Sequence, residues 1–548
     1  MTTLLDHDAP ERGSTEPDTF RRRGVRHDVW GPCVTTLILV VVLAATGIRG
    51  ADYPAHHFRA LLWRESGLSV WNFHWYGGHA TATYGLLSPP FVALLGPFVV
   101  VALATLVSTL CFSRLTRALL PGRTTVLANH VFAMLVTTNV VVGRVAFGLG
   151  LAIALLALVA WTLRLSVAAI VTSILAAMAS PVAGVFLTLA GASVAATRLR
   201  AERRFTRSGL IGIGVALTSV VPVVVSSALF EPGGRFPFRA GHLLASIVVL
   251  VAAARLSGSP TVRLAAGLAV GVSVVVFVVP NPLGGNIVRL AQIVAIPIVV
   301  VGLDRRGKVP RASWFLIVPA ICWGLSPGIV AAIDSADDPS STLGYHRPLI
   351  DEVIARNADG RPIGRVEIPF TVNHWESFYV AAAVPYIRGW ERQTDLDRNP
   401  TLYDPTLDTA AYRRWLLDNA VRWLAVPDVP IDDDGGGRWE HALVTDLTGS
   451  PAWLTLVWSD QHWRLFEVAG YAPIVERPAE LVSQDADRIV IRVTRPATVR
   501  VRYTYTDWLS ISAGARVTAS ADGRILAHLP GPGDYTLTVG WPGDHDED

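Results

Sequence analysis

The stretch 49-RGADYPAHHFRALLWRESGLSVWNFHWYGGHATATYGLLSPP-90 gathers the side chains best suited to chemistry. Asp52 opens it, His56 and His57 follow about one helical turn later, and Trp75, Tyr76, His79 and Tyr84 lie towards its end. A carboxylate, imidazoles and aromatic rings at one place are the ingredients of a site that binds a polar ring and moves a proton. His56, His57, His74 and His79 also offer ligands for a divalent metal, although no fixed spacing such as HExxH is present. The plainer uses are hydrogen bonding within the segment for the histidines, and for Asp52 a hydrated residue that ends an apolar run.

Two arginines stand apart from the rest because each falls at the end of an apolar run. Arg144 and Arg289 can each hold a phosphate bidentately, the alternative being extension of the side chain toward lipid headgroups. Asn286 and Gln292 flank Arg289 at three-residue spacing, and a polar stripe of that kind within a span looks inward. The segment 374-HWESFYVAAAVPYIRGWERQ-393 mixes Glu376, Arg388, Glu391 and aromatics in a way that suits either carbohydrate contact or packing of a soluble fold. No Walker loop, dinucleotide fingerprint, nucleophile elbow or zinc-finger spacing occurs, which argues against ATP hydrolysis and serine-hydrolase chemistry. A net charge of +3 gives no argument for nucleic acid, and none is expected as a partner.

The elements that must position these residues are set by composition. Of 548 residues, 51% are hydrophobic and 17% charged, with mean hydropathy +0.41, an apolar excess that a soluble enzyme of this length does not carry. The excess lies between Trp30 and Ile333. Runs at 34–48, 90–112, 124–142, 146–163, 165–179, 181–197, 208–230, 241–254, 261–279, 287–303 and 312–333 approach the roughly twenty residues that cross hydrocarbon as a helix. The expected fold is therefore a polytopic α-helical membrane bundle of about eleven spans. Membrane lipid is its first partner.

The rest divides by composition. Residues 1–28 read as a disordered cytoplasmic tail, 29–333 as the transmembrane domain with 49–90 as its first outer loop, and 334–343 as a linker. Residues 344–470 carry an α/β pattern, with strands at 364–370 and 421–427 flanking a helix at 408–420. Alternating segments at 488–493, 498–506, 524–529 and 535–541 predict a small β-sandwich over 471–541, followed by an acidic tail at 542–548. Within the outer loop, 55–65 is expected as an amphipathic helix lying on the bilayer, with Phe58, Leu61, Leu62 and Trp63 toward lipid. Cys33, Cys111 and Cys322 fall in or beside spans, leaving the C-terminal part without a disulfide.

Orientation follows from arginine, because short basic loops stay in the cytoplasm. Arg21, Arg22, Arg23 and Arg26 precede the first span, and with that end inside every dense cluster lands inside: Arg114, Arg117 and Arg123; Arg198 to Arg207; Arg305 to Arg311. An odd number of spans then puts the C-terminal domain outside a bacterial plasma membrane. A miscount near Ser180-Pro181 would reverse this.

The acidic residue after the first span, the Asp52-x-x-x-His56 spacing, 71-WNFHWYGG-78, Tyr84 and 88-SPP-90 resemble bacterial GT-C glycosyltransferases and their polytopic relatives. The likeness continues at 143-GRVAFGLG-150, 179-ASPVAGVF-186 and 284-GGNIVRLAQIVAIP-297, and into the tail at 365–393, 412–426 and 461–468. It departs from the many members with two adjacent acidic residues, since Tyr53 follows Asp52. The resemblance implies a GT-C-like bundle and inverting transfer of a sugar from a polyprenyl-phosphate donor to a glycan or envelope acceptor. It implies Asp52 as base or metal ligand, with His56, His57, Trp75, Tyr76, His79, Tyr84, Arg144, Asn286 and Arg289 around the substrates and no cofactor beyond a possible divalent metal. The alternative from another class is a non-enzymatic membrane protein, either a lipid-linked glycan transporter or a scaffold that binds envelope polymer. A transporter would show repeated, polar-interrupted spans in both halves.

Overall fold

The computed structural model describes residues 18–82, 85–122, 124–230, 234–304, 314–433, 437–447, 449 and 451–540. Charge-free runs of Val, Leu and Ala become helices because hydrocarbon offers no partner for backbone N–H and C=O groups. Among the described residues, nine helices are long and apolar enough to cross a membrane. In chain order the bundle contains α1 (Asp18–Thr46), α4 (Pro97–Leu119), α5 (Thr125–Val142), α6 (Val145–Thr162), α7 (Ser166–Ala179), α8 (Pro181–Glu202), α9 (Arg207–Leu229), α10 (Ala240–Leu256), α11 (Pro260–Val278), α12 (Ile296–Asp304) and α13 (Trp314–Asp334). The apolar α7 and α10 are shorter than these nine, and α12 completes the span Gly284–Leu303. Between α1 and α4 lie α2 (Tyr53–Ser66) and α3 (Ser88–Leu95).

Ser180 separates α7 from α8: its extended backbone breaks the helix, its hydroxyl accepts from Ala183 N–H, and Pro181 starts the next helix. Where α8 crosses α9, Gly191 and Gly212 let the backbones touch. A Cβ on Gly191 would stand 2.7 Å from the Gly212 carbonyl, and one on Gly212 would stand 2.9 Å from the Gly191 carbonyl.

Successive helices run in opposite directions, so one end of the bundle collects the C-terminus of α1, the α5–α6 and α7–α8 junctions, and the C-terminus of α13. Gly50 N–H donates to Val141 O (2.9 Å), Leu86 N–H to Met178 O (2.9 Å), and Asn373 Nδ2 to Asp334 O (2.7 Å). The C-terminal domain is seated at that end. The α4–α5, α8–α9 and α10–α11 junctions mark the other, where Thr124 donates to Val301 O (3.4 Å).

After α14 (Leu343–Asn357), the first part of the C-terminal domain is a sheet ordered β3-β4-β6-β5, from β3 (Arg365–Glu367), β4 (Val421–Pro427), β5 (Leu454–Ser459) and β6 (Trp463–Val468). β3 pairs with β4 in parallel and the other pairs are antiparallel. Short helices α15 (Glu376–Tyr379), α16 (Arg392–Arg398), α17 (Thr409–Asp418) and α18 (Gly437–Leu447) surround it. Two antiparallel sheets follow. The four-stranded one, ordered β10-β13-β8-β7, uses β7 (Ala479–Gln484), β8 (Arg488–Val493), β10 (Leu509–Ile511) and β13 (Gly533–Val539). The three-stranded one is β11-β12-β9, from β9 (Ala497–Thr504), β11 (Arg516–Ala519) and β12 (Arg524–Leu529). Their inner faces share a core containing Ile491, Val501, Ile525 and Leu537.

The segment 49–90 is the wedge between bundle and domain. Its helix forms as expected, but the apolar face does not lie on lipid. Phe58 and Leu62 join the core of the first C-terminal sheet, and Phe58 stacks on Trp75 at 4.3 Å. An apolar stripe needs only an apolar neighbour, and Trp75 together with residues of the C-terminal domain supplies it, each fully buried ring contributing roughly 1.5–3 kcal/mol. The hairpin of β1 (Trp71–Asn72) and β2 (His79–Ala80) then delivers Trp71 and Phe73 to the core of the two antiparallel sheets.

Candidate functional site

The turn carrying Asp52 is held from both sides. Asp52 N–H donates to Val142 O (3.1 Å), Tyr53 N–H to Gly50 O (3.1 Å), and the Tyr53 hydroxyl to Val140 O (2.7 Å). The approach is close enough to require glycine at 143: its φ is +90°, and a Cβ there would lie 2.8 Å from Tyr53 N. The α5–α6 junction is thereby pressed against the Asp52 turn, and Arg144, at the N-cap of α6, is the next residue.

Asp52 occupies the N-cap position of α2, yet its side chain makes no cap bond. Its carboxylate instead lies beside Trp390 and feels the charges of Arg144 and Arg289. Burial pushes the Asp52 carboxyl above the ordinary range, opposed by the two arginines and the indole. Part of the residue's surface stays open, as it does for Arg144 and Arg289.

Arg289 is presented by an irregular entry into the tenth helix of the bundle. A 3-10 turn at Gly284–Ile287 precedes it and a π-helical stretch at Leu290–Ala295 follows, and departures of this kind recur at functional sites. The guanidinium lies 4.9 Å from the centre of the Phe147 ring, in the first turn of α6, which carries it to the Arg144 side of the bundle. The regular three-residue spacing expected for Asn286, Arg289 and Gln292 does not survive this geometry. Asn286 is half-buried in the 3-10 turn, while Gln292 is buried and donates to Trp323 O (3.3 Å).

Behind Asp52 the C-terminal domain supplies a chain of polar groups. Trp390 stacks on His374 with ring centres 3.2 Å apart. His374 lies between Glu376 (Nδ1 to Oε1, 3.8 Å) and Asp432 (Nε2 to Oδ2, 3.6 Å), and Arg392 pairs with Asp432. Burial holds His374 well below the usual imidazole range, with Arg392 and Arg388 adding to the effect. Burial also lifts Glu376 to about 7, against hydrogen bonds from Thr371 N (3.1 Å) and Thr371 Oγ1 (2.6 Å).

The remaining residues singled out in the sequence go elsewhere. Trp75 and Tyr76 are core residues: the Trp75 indole donates to Ser377 O (2.9 Å), and the Tyr76 hydroxyl donates to Gly389 O (2.6 Å) while accepting from Glu391 N–H (2.9 Å). His56 is buried and pushed down to about 3 by burial and by Arg59 and His57. His57, half-buried against Phe378 and Trp375, is pushed down to about 4 by burial, then by Arg64 and Arg49. His79 is buried beside Trp75 and also falls to about 4, with Glu391 opposing burial. Tyr84 lies outside the described residues. Among the described residues no group of three or more His, Cys, Asp or Glu side chains is placed to hold a metal ion.

The chain is a multi-pass membrane protein. No known family matches its sequence, and no curated protein matches it either. Trp390 beside Asp52, with His374 and Asp432 behind it, is not legible in the sequence; the one signal is that Trp390 and His374 belong to the aromatic-rich 374–393 segment.

Proposed function

We propose that this protein is an integral membrane glycosyltransferase moving a sugar from a polyprenyl-phosphate donor to a cell-envelope acceptor at the outer face. The observation that carries the reading is that the charges of Arg144 and Arg289 both act on the Asp52 carboxylate, at a partly open place on the end of the bundle that bears the C-terminal domain. Three distant stretches of chain meet there, and they are the chemistry-bearing ends of three spans.

Transfer with inversion needs a base on the acceptor side and positive charge on the leaving side. Asp52 takes the proton of the acceptor hydroxyl as that oxygen attacks the anomeric carbon. The bond from that carbon to the phosphate oxygen breaks, and the electron pair leaves with the lipid phosphate. Arg144 and Arg289 are the groups to meet that charge, and planar guanidinium forks suit a phosphate. A carboxyl whose proton affinity is raised by burial is a stronger base than one in water. The orientation is supported by the denser arginine run from Arg198 to Arg207, which falls at the opposite end of the bundle from Asp52.

The test uses the full chain in nanodiscs with radiolabelled polyprenyl-phosphate sugars and envelope acceptors. Asp52→Asn keeps size and should preserve insertion, folding and carrier binding while lowering transfer by on the order of a hundredfold. Arg289→Lys should weaken carrier binding despite retaining charge. Unchanged transfer by Asp52→Asn removes Asp52 from the mechanism. No transfer by the wild-type chain with any donor favours the transporter or scaffold reading.

A further inference from the structure

A separate cavity of about 330 Å³ opens in the seam where the β1–β2 hairpin, the end of α9, α16 and the segment between β9 and β10 converge. That volume falls at the lower end of the range of about 300–1,000 Å³ typical of small-molecule sites. Asp52, Arg144 and Arg289 are not among its lining residues.

The lining has a distinct chemistry. Trp71, Phe230, Tyr505 and Trp508 contribute ring surface, and Phe230 stacks on Trp508 at 5.6 Å, tying the end of a membrane helix to the β-rich part of the C-terminal domain. Asp397 and Asp507, both exposed, add carboxylates to the lining. Thr394, Thr504 and Thr506 add hydroxyls, and Arg398 adds a donor. The Trp71 ring forms part of the wall, while its indole N–H is buried and has no hydrogen-bond partner among the described residues.

An acyl chain would leave the carboxylates and hydroxyls without partners. An anionic headgroup would face two carboxylates. A neutral sugar suits this lining: its C–H face packs on the electron-rich face of an aromatic ring, and its hydroxyls donate to carboxylates and accept from Arg398. Because Phe230 directly follows the last residue of α9, the ligand would sit just above the membrane surface.

We infer that this cavity is a carbohydrate-binding subsite for one or two neutral sugar residues, bound next to the membrane surface. It holds whether or not Asp52 catalyses transfer.

The experiment titrates the full chain in nanodiscs with methyl glycosides of glucose, mannose, galactose and arabinose, and with inorganic phosphate as the anionic control. Binding is followed by saturation-transfer NMR and tryptophan fluorescence. At least one glycoside should bind saturably, Asp507→Asn and Trp508→Ala should each weaken it by about tenfold or more, and Asp52→Asn should bind as the wild type does. Asp507→Asn changes no volume, so it stands as the decisive variant if Trp508→Ala disturbs the contact with Phe230. Absence of saturable glycoside binding, binding indifferent to Asp507→Asn, or displacement of the glycoside by phosphate would overturn the assignment.

Discussion

Arg388 and Asp52 are both drawn into protein among charges of opposite sign, but the numbers run in opposite directions. Around Arg388 one cation meets three carboxylates: Asp395 at 2.7 Å, Glu440 at 2.7 Å and Glu367 at 3.4 Å. All four side chains are sealed, and burial together with Glu440 and Asp395 pushes the Glu367 carboxyl well above its ordinary range. Around Asp52 one carboxylate meets two cations, and all three residues keep part of their surface open. The first arrangement can exchange nothing with solvent, so its work is to hold α16, α18 and β3 together. The second can trade a partner for a ligand.

The sharpest way to break this comparison is to remove the cation from each group. Arg388→Met leaves three carboxylates buried around an apolar side chain and should cost about 3–5 kcal/mol, seen as a large fall in the thermal unfolding temperature in detergent. Arg144→Met should cost less than that, since Arg289 still offsets the Asp52 charge. Equal losses in both variants would mean that the Asp52 group is structural too.

A smaller effect is expected from pH. Unfolded, the Glu376 carboxyl loses its proton near the ordinary glutamate value; folded, it holds it up to about 7. Between those pH values the folded chain carries the extra proton, so the contribution is greatest below the window and declines as pH rises through it. This is the reverse of a salt-bridged carboxylate. Measured as wild type minus Glu376→Gln, which removes the titration, the decline should total about 3 kcal/mol. A flat difference would show that Glu376 titrates normally.

The two groups also differ in how much of them the sequence reveals. Asp52, Arg144 and Arg289 stand out because each is a charge at the end of an apolar run, and hydrocarbon makes such charges conspicuous. The spans are readable for the same reason, β8 and β12 coincide with runs that alternation marks out, and β4 coincides with a strand read from the α/β pattern. What stays hidden depends on contacts across hundreds of residues. Phe58 and Leu62 read as a lipid-facing stripe because nothing local says that a protein core will cover them. Trp75 and Tyr76 read as binding residues because an aromatic in a loop looks the same whether a sugar or Gly389 lies beside it. Trp390 is invisible as a neighbour of Asp52, since a tryptophan in a soluble segment has many packing uses and only tertiary structure brings residue 390 to residue 52.

That hidden contact gives the finest test. The Trp390 indole beside Asp52 favours the charged carboxylate and so lowers its proton affinity, while burial raises it. Trp390→Phe keeps an aromatic ring over His374 and leaves Arg144 and Arg289 in place, but removes the donor. The Asp52 carboxyl should then titrate higher. Because the folded-state value moves further above the unfolded one, the stability that Asp52 removes as pH rises should also grow. The reading comes from pH-dependent unfolding of the wild type, Asp52→Asn, Trp390→Phe and the double variant, and from the acid limb of the transfer rate where transfer is measured. A shift in both would show that the C-terminal domain tunes the Asp52 carboxylate through the Trp390 indole. No shift in either would separate the C-terminal domain from the chemistry and leave Arg144 and Arg289 to set the state of Asp52 alone.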